Sequence, residues 1–285
     1  MSGAVPALAA PVNDMTWSVP DWPPFFILQQ GREPQALAEL GRGSLDNLIS
    51  GLAREMPERM HKFKVLNSRR FWRAIEAGEP ICSVAAIRTP ERSKLAYFAP
   101  LILLPPVHLI VRADEVEKFG TTRDGVALPL LLLKSDVVGL LEAGRSYGAG
   151  LDKVLDQATT TGLRRESMSR AGQSARLVAQ GRVDFSIDYP GVAEYINQND
   201  NLKAKLAALP IQGSSAWIES QAACPRTPWG LDTITAIDKA MRRVAADSTV
   251  RNAIVDWQPH GLKPEALQKT RSYLDERMKL DVILD

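Results

Sequence analysis

Apolar positions along the chain fall into short strand-like runs alternating with helical stripes. Residues 15–19 alternate apolar and polar, the pattern of a half-buried strand. Pro20 ends this run. Asp21-Trp22-Pro23-Pro24-Phe25 is then a loop, because each proline fixes its own φ and pushes the preceding residue toward extended backbone. Leu45, Leu48, Ile49 and Leu52 form one helical stripe, with Ser44 as its expected cap. Residues 63–66 read as a short strand. Ser68 is the expected cap of a second helix, with Phe71, Trp72 and Ile75 inward and Gly78 as its stop. The near-continuous apolar run at 81–87 predicts a strand buried on both faces, and 107–111 predicts another.

The pattern then restarts. Residues 137–141 predict a buried strand, followed by the turn Gly144-Arg145-Ser146-Tyr147-Gly148 and a helix over 151–157. Ser169 is placed to cap a helix with Ala171, Ala175 and Val178 inward, ending near Gly181. A strand at 183–187 and a helix from Pro190 to 199 follow, then extended segments at 206–211 and 216–220. Thr227-Pro228 begins a long helix with Leu231, Ile234, Ile237, Met241 and Val244 inward; proline in the first turn gives up only an N–H that has no intrahelical partner. Two more helices are predicted at 248–256 and 264–280. Strands alternating with helices predict parallel α/β architecture. Two such blocks followed by a tail without a strand block of its own imply that the tail packs back on the first.

Composition narrows the class. The 285 residues are 45% hydrophobic and 24% charged, which is ordinary for a globular chain and long enough for two units of roughly 100–200 residues each. Basic and acidic side chains number 35 and 33, and no Lys/Arg-rich arm is present, so charge gives no reason to expect a nucleic-acid partner. The most apolar stretch, 101–111, is broken by Pro105-Pro106 and falls short of the ~18 residues of a membrane span. Residues 1–11 are small, apolar and uncharged. They fit either the remnant of an export signal, cut near Ala7-Leu8-Ala9, or an alanine-rich disordered tail. Cys82 and Cys224 exclude a disulfide-dense scaffold and leave two readings, buried thiols or a single bridge. His61, His108 and His260 show no metal-ligand spacing, and neither a GxSxG elbow nor a phosphate-binding glycine loop occurs. No cofactor or metal is expected.

Three segments carry a resemblance. They are Trp17-Ser18-Val19-Pro20-Asp21-Trp22-Pro23-Pro24-Phe25, then Ala85-Ala86-Ile87-Arg88-Thr89-Pro90-Glu91-Arg92 with Leu95-Ala96-Tyr97-Phe98-Ala99-Pro100, and Gly181-Arg182-Val183-Asp184. In content, order and spacing they resemble the amino-acid-type (family 3) periplasmic solute-binding proteins, over nearly the whole chain after residue 14. The resemblance implies a type II periplasmic binding protein fold: two α/β lobes joined by two crossing strands, with the ligand in the cleft. The expected division is 14–112 plus 214–285 for lobe one and 113–213 for lobe two, after a tail at 1–13.

The resemblance also implies site residues. Arg92 matches the family's carboxylate-binding arginine, a role suited to a planar fork of donors. Trp22, expected to be exposed in its proline-rigid loop, matches an aromatic that stacks on ligand side chains, whereas Phe25 is expected in the core. The family's hydroxyl ahead of the turn arginine is replaced here by Ile87, with Ala85 before it, so backbone N–H groups are left to serve at Ala85 and Ile87. Where the family has an aspartate for the ligand's ammonium, this chain has Tyr189, with Asp188 one residue earlier; a one-residue shift within a strand turns a side chain to the other face. Ser146 and Tyr147, at the strand-to-helix turn, either cap the helix or touch ligand. The implied function is extracytoplasmic, periplasmic binding of a small polar, carboxylate-bearing, amino-acid-like solute by a monomer without catalytic residues. The implied partner is a membrane transporter of the ABC type or a sensor. The alternatives are an enzyme on the same scaffold, resembling a dehydratase of cyclic carboxylic acids, and an orphan binding protein outside transport. An unpaired acid or histidine in the cleft favours the enzyme; Trp, Arg and backbone N–H groups favour binding.

Overall fold

A computed structural model describes residues 13–158, 162–168 and 172–280. The candidate export remnant, Ser169 and Ala171 lie outside the described residues. The first lobe is laid down by β1 (Asp14–Ser18), α1 (Ser44–Arg54), β2 (Met60–Lys64), α2 (Ser68–Glu76), β3 (Ile81–Ala86), the short α3 (Pro90–Ser93) and β4 (Ala96–Leu104). The chain then enters a second sheet through β5 (His108–Arg112), α4 (Leu128–Leu131), β6 (Gly139–Glu142), α5 (Ala149–Asp156), β7 (Leu163–Glu166), α6 (Gln173–Ala179), β8 (Phe185–Asp188), α7 (Pro190–Asn199) and β9 (Leu206–Leu209). It returns through β10 (Ile218–Pro225) and ends with α8 (Pro228–Val244), α9 (Ser248–Asp256) and α10 (Lys263–Arg277).

The two five-stranded sheets have the orders β2-β1-β3-β10-β4 and β7-β6-β8-β5-β9. Strands reached through helices pair in parallel, as β1 does with β2 and β3, and β6 with β7 and β8. The strands that carry the chain between sheets run the other way: β10 is antiparallel to β3 and β4, and β5 to β8 and β9. The sheets are therefore mixed, where helix–strand alternation alone predicted parallel ones. A parallel neighbour needs a crossover connection, and a strand that arrives directly from the other lobe has none. The same pairing corrects the expected boundary after residue 112. His108–Arg112 is hydrogen-bonded between β8 and β9, so it belongs to the second sheet, and the crossings lie at 105–107 and 210–217. The C-terminal helices pack on the first lobe, α8 against β4 and β10 and α9 against α1.

Local chemistry shifts several caps from their expected residues. Ser44 lies inside α1, and the N-cap is Gly43, where an added Cβ would sit 2.3 Å from the Phe25 carbonyl oxygen. Asp46 accepts from the N–H groups of Gly43 and Ile27, each at 2.9 Å, and so ties the Trp22–Phe26 loop to the helix start. The cap of α2 is Asn67, whose side chain accepts from the Arg70 N–H. Ser68 instead reaches into the other lobe. Thr227-Pro228 opens α8 as expected, with Thr227 as its N-cap, but Leu231 is exposed rather than inward.

Cys82 in β3 and Cys224 in β10 form a disulfide, with Cα atoms 4.5 Å apart and a sequence separation of 142. Both are fully buried. The bridge closes a long loop that contains the whole second lobe, so it restricts the unfolded chain strongly. The Cys82→Ala/Cys224→Ala double variant is expected to lose about 2–5 kcal/mol in urea unfolding. The denatured wild type should also resist alkylation until a reductant is added.

Candidate functional site

Residues at or just beyond the carboxyl ends of β1, β3, β6 and β8 line one cleft between the sheets. This is where ligands sit in α/β sheets, since helix N-termini and loops converge there. Ser18 ends β1 and Trp22 follows it, Ala85 is near the end of β3 with Ile87 just beyond, Arg92 stands on α3, and Trp72 comes from α2. Across from them are Glu142, which ends β6, Arg145 and Ser146 beyond it, and Tyr189, beyond β8. The cavity measures about 80 Å³, room for several waters or a small solute. The lobes touch around it. The Ser68 hydroxyl and Arg92 Nη2 both donate to the Gly144 carbonyl, at 2.9 and 3.0 Å, and Asn67 donates to the Met168 carbonyl at 2.9 Å.

Trp22, Ala85, Ile87, Arg92, Ser146 and Tyr189 thus line the cleft, whereas Tyr147 and Asp188 stand behind its wall. Arg92 is half-buried. Its guanidinium donates to the Ile87 carbonyl at 2.9 Å and lies over the Trp72 ring at 4.4 Å, in addition to its bond across the cleft. Burial pushes it down to about 10, with Asp152 and Glu91 opposing, so it remains a cation at neutral pH. Trp72, expected in the core, is the stacking face for this cation.

Trp22 is buried rather than exposed. It packs against Phe25 at 4.4 Å and Tyr189 at 5.8 Å, and the Arg145 guanidinium lies 4.7 Å from its ring centre. The proline loop delivers the ring to a partner that the local sequence does not contain. Ser146 donates to Asp152 Oδ2, and Tyr147 N–H donates to Asp152 Oδ1 at 2.7 Å, so the acid in the first turn of α5 clamps the preceding turn. The N-cap itself is Gly148, at φ +97°, a conformation that favours glycine. The Tyr147 hydroxyl accepts from the Glu142 N–H at 3.2 Å, and burial pushes that hydroxyl up to about 12.

Arg145 is the residue that sequence reasoning missed. Its Nη2 donates to Asp188 Oδ1 at 2.7 Å, and the two side chains are 11% and 0% exposed. Its guanidinium also lies 4.9 Å from the Tyr147 ring centre and 5.6 Å from that of Tyr189. Burial pulls Arg145 toward losing its charge, but Asp188, then Tyr147 and Glu142, outweigh burial and hold it above the ordinary arginine value. Removing one partner of such a pair strands the other charge, at a cost on the order of 3–5 kcal/mol. A signal existed in the sequence: an aspartate at the end of a buried strand requires a cation.

Glu142, the last residue of β6, is buried in the same wall. Burial raises its pKa, Asp188 adds to this, and Arg145 and a hydrogen bond from the Ser68 backbone oppose it. His61 and His108 serve structure: His61 Nδ1 accepts from Trp17 Nε1, and His108 Nδ1 faces the Pro106 carbonyl. Among the described residues there is no cluster of metal-ligating side chains, and no helix is long and apolar enough to cross a membrane.

Solved structures share this architecture. An amino acid ABC transporter substrate-binding protein, AbpA, from Streptococcus pneumoniae Canada MDR_19A, bound to L-arginine, superposes with a TM-score of 0.60 at 17% identity, over 94% of this chain and 97% of its own. This chain has the type II periplasmic binding protein fold. The binding-protein fold is shared equally by an ancestral amino-acid-binding protein that is a precursor of cyclohexadienyl dehydratase, with a TM-score of 0.63 at 15% identity over 87% of this chain and 96% of that one. It is shared again by a histidine kinase sensor domain with similarity to periplasmic binding proteins, with a TM-score of 0.63 at 14% identity over 86% and 95%. No protein-family model matches the sequence, and no curated protein matches it.

The raised pKa of Glu142 fixes the sign of one pH effect. The acid's contribution to stability is fully present below its ordinary value of 4.5 and is lost as pH rises through its higher folded value. Glu142→Gln is therefore expected to raise Tm at neutral pH, with the gain vanishing below pH 4.5, as followed by calorimetry across pH.

Proposed function

We propose that the chain binds a small carboxylate-bearing solute in the interlobe cleft, outside the cytoplasm, and presents the closed form to a membrane transporter or a sensor. The observation that carries this reading is Arg92, a cation on the cleft wall that bonds both to its own lobe and to the opposite one. A guanidinium has five N–H donors, more than the Ile87 and Gly144 carbonyls use, and a carboxylate is its natural acceptor. A ligand anion held there joins the contacts that keep Gly144 against the first lobe, so binding and closure favour each other. The disulfide supports an oxidising compartment, where such bridges persist. The descriptions of two structural relatives, a transporter's substrate-binding protein and a histidine kinase sensor domain, support the choice of recipients.

Glu142 favours a second reading. A buried acid with a raised pKa, near Arg145 in a cleft, is the arrangement of a general acid, and one structural relative is described as the precursor of a dehydratase. Under this reading the wild type converts a cyclic carboxylic acid and Glu142→Gln does not, while both bind it. Under the binding reading neither turns it over.

A thermal-shift screen of small carboxylates, with native mass spectrometry for retained ligand, tests the main reading. At a hundred times Kd the wild type is expected to gain about 2.7 kcal/mol. Arg92→Ala is expected to lose that gain while keeping its fold. Full ligand-induced stabilisation in Arg92→Ala would remove Arg92 from the site.

A further inference from the structure

Resting on the solute-binding reading, we propose that Arg145 is a built-in cationic ligand. Its guanidinium fills the subsite in which the cationic side chain of a solute would otherwise sit. The cleft therefore takes short neutral or anionic carboxylates and rejects guanidinium-bearing solutes such as L-arginine.

The cluster around Arg145 is a complete receptor for a planar cation. A fully buried carboxylate, Asp188, meets one edge of the guanidinium at 2.7 Å. Three aromatic rings present their faces within 4.7–5.6 Å, each attracting the cation through its ring quadrupole. The receptor is assembled from both lobes, with Trp22 from the first and Tyr147, Asp188 and Tyr189 from the second. It opens on the cleft, since Trp22, Arg145 and Tyr189 all line it. The turn that inserts Arg145 is bounded by Gly144 at φ +82° and Gly148 at φ +97°, which lets the chain fold the side chain back. A cation tethered in this way competes at high effective concentration, so a free solute cation of the same chemistry is displaced. A second cation entering would face Arg145 at short range, with Arg92 on the other wall.

The subsite is read by comparing the wild type with Arg145→Ala in thermal shift and tryptophan fluorescence. The probes are millimolar L-arginine, methylguanidinium and L-glutamate. The wild type should not respond to L-arginine or methylguanidinium. Arg145→Ala should melt lower and recover with either, by roughly 5–10 °C at a hundred times Kd, with a change in emission from Trp22. Arg145→Ala/Asp188→Asn, which removes the buried charge as well, should fold and show no recovery. Stabilisation of the wild type by L-arginine overturns the proposal, and this arm needs no variant. A folded Arg145→Ala that ignores both cations overturns it too. If methylguanidinium rescues Arg145→Ala while no carboxylate ever stabilises the wild type, the solute-binding role fails and the built-in cation stands. If carboxylates and L-arginine both stabilise the wild type, only the built-in cation fails.

Discussion

A guanidinium withdrawn from water is tolerable only where its charge is answered at close range, and this molecule places one between its two halves. Arg145 comes from the tip of β6, Asp188 from the tip of the neighbouring β8, and Trp22 from the loop after β1 in the other lobe. The pair itself lies within one lobe, but the ring that completes its surroundings does not. Trp22 from one lobe thus covers a cation held by the other, in a buried cation–π contact. Asp46 reinforces this from behind. Its bonds to the Ile27 and Gly43 N–H groups fix the loop that carries Trp22 and Phe25, at the expense of a carboxyl that burial pushes up to about 6.

This pairing determines what charge remains on the cleft wall. With Asp188 matched to Arg145, the charged groups left on the cleft wall are Arg92 and Glu142. Burial favours the neutral form of Glu142, which is a hydrogen-bond donor as well as an acceptor. Arg92 is then the cation on the wall without a carboxylate hydrogen-bonded to it, and burial works against the charge of Glu142. The hydroxyls of Ser18, Ser83 and Ser220 line the same space, but part of their capacity is committed: Ser220 donates to the Val84 carbonyl and Ser83 accepts from the Ala85 N–H. Under the solute-binding reading, selectivity would fall to shape and to the Arg92 guanidinium, which suits a compact anion better than a long one.

The chain displayed its layout in the sequence more openly than its contacts. Helix starts with proline in the first turn, as at Thr227-Pro228 and Pro190, were legible because the signal is local. The direction of β5 and β10 was not. An apolar run reads the same whichever neighbour it pairs with, so the position of the lobe crossing had to come from the hydrogen-bond partners. The site divides along the same line. Arg92 was placed by a turn motif within a few residues of it. Arg145 looked like a turn residue between two glycines, because its carboxylate lies 43 residues away and its aromatic faces lie in three separate segments. Trp22 was misjudged for the same reason: a tryptophan in a proline-rich loop is exposed unless a distant element covers it, and Tyr189 and Arg145 do so here. Ser68 was expected as a cap, yet the neighbouring Asn67 fills that role and leaves the serine to reach Gly144.

The fold alone does not separate a carrier from a catalyst, since one scaffold supports both and function lives in the cleft. Here the two roles make opposite demands on the same wall. A carrier needs the closed state to be a stable end point, so that its surface signals occupancy. A catalyst needs an acid whose proton is delivered and regained each turnover. Glu142 could meet the second demand only if its proton reaches the reacting atom. Its position beside a guanidinium already neutralised by Asp188 is informative, because Arg145 then does less to ionise the acid than a free arginine would. Burial is what raises the acid, and Asp188 offsets part of the pull that Arg145 exerts toward ionisation. A protonated, buried carboxyl is also a good fixed donor to a bound carboxylate that is never transformed. The same group serves retention in a carrier and proton delivery in an enzyme. The decisive variable is the distance from Glu142 to a bond that can break, which is set by the ligand rather than by the wall.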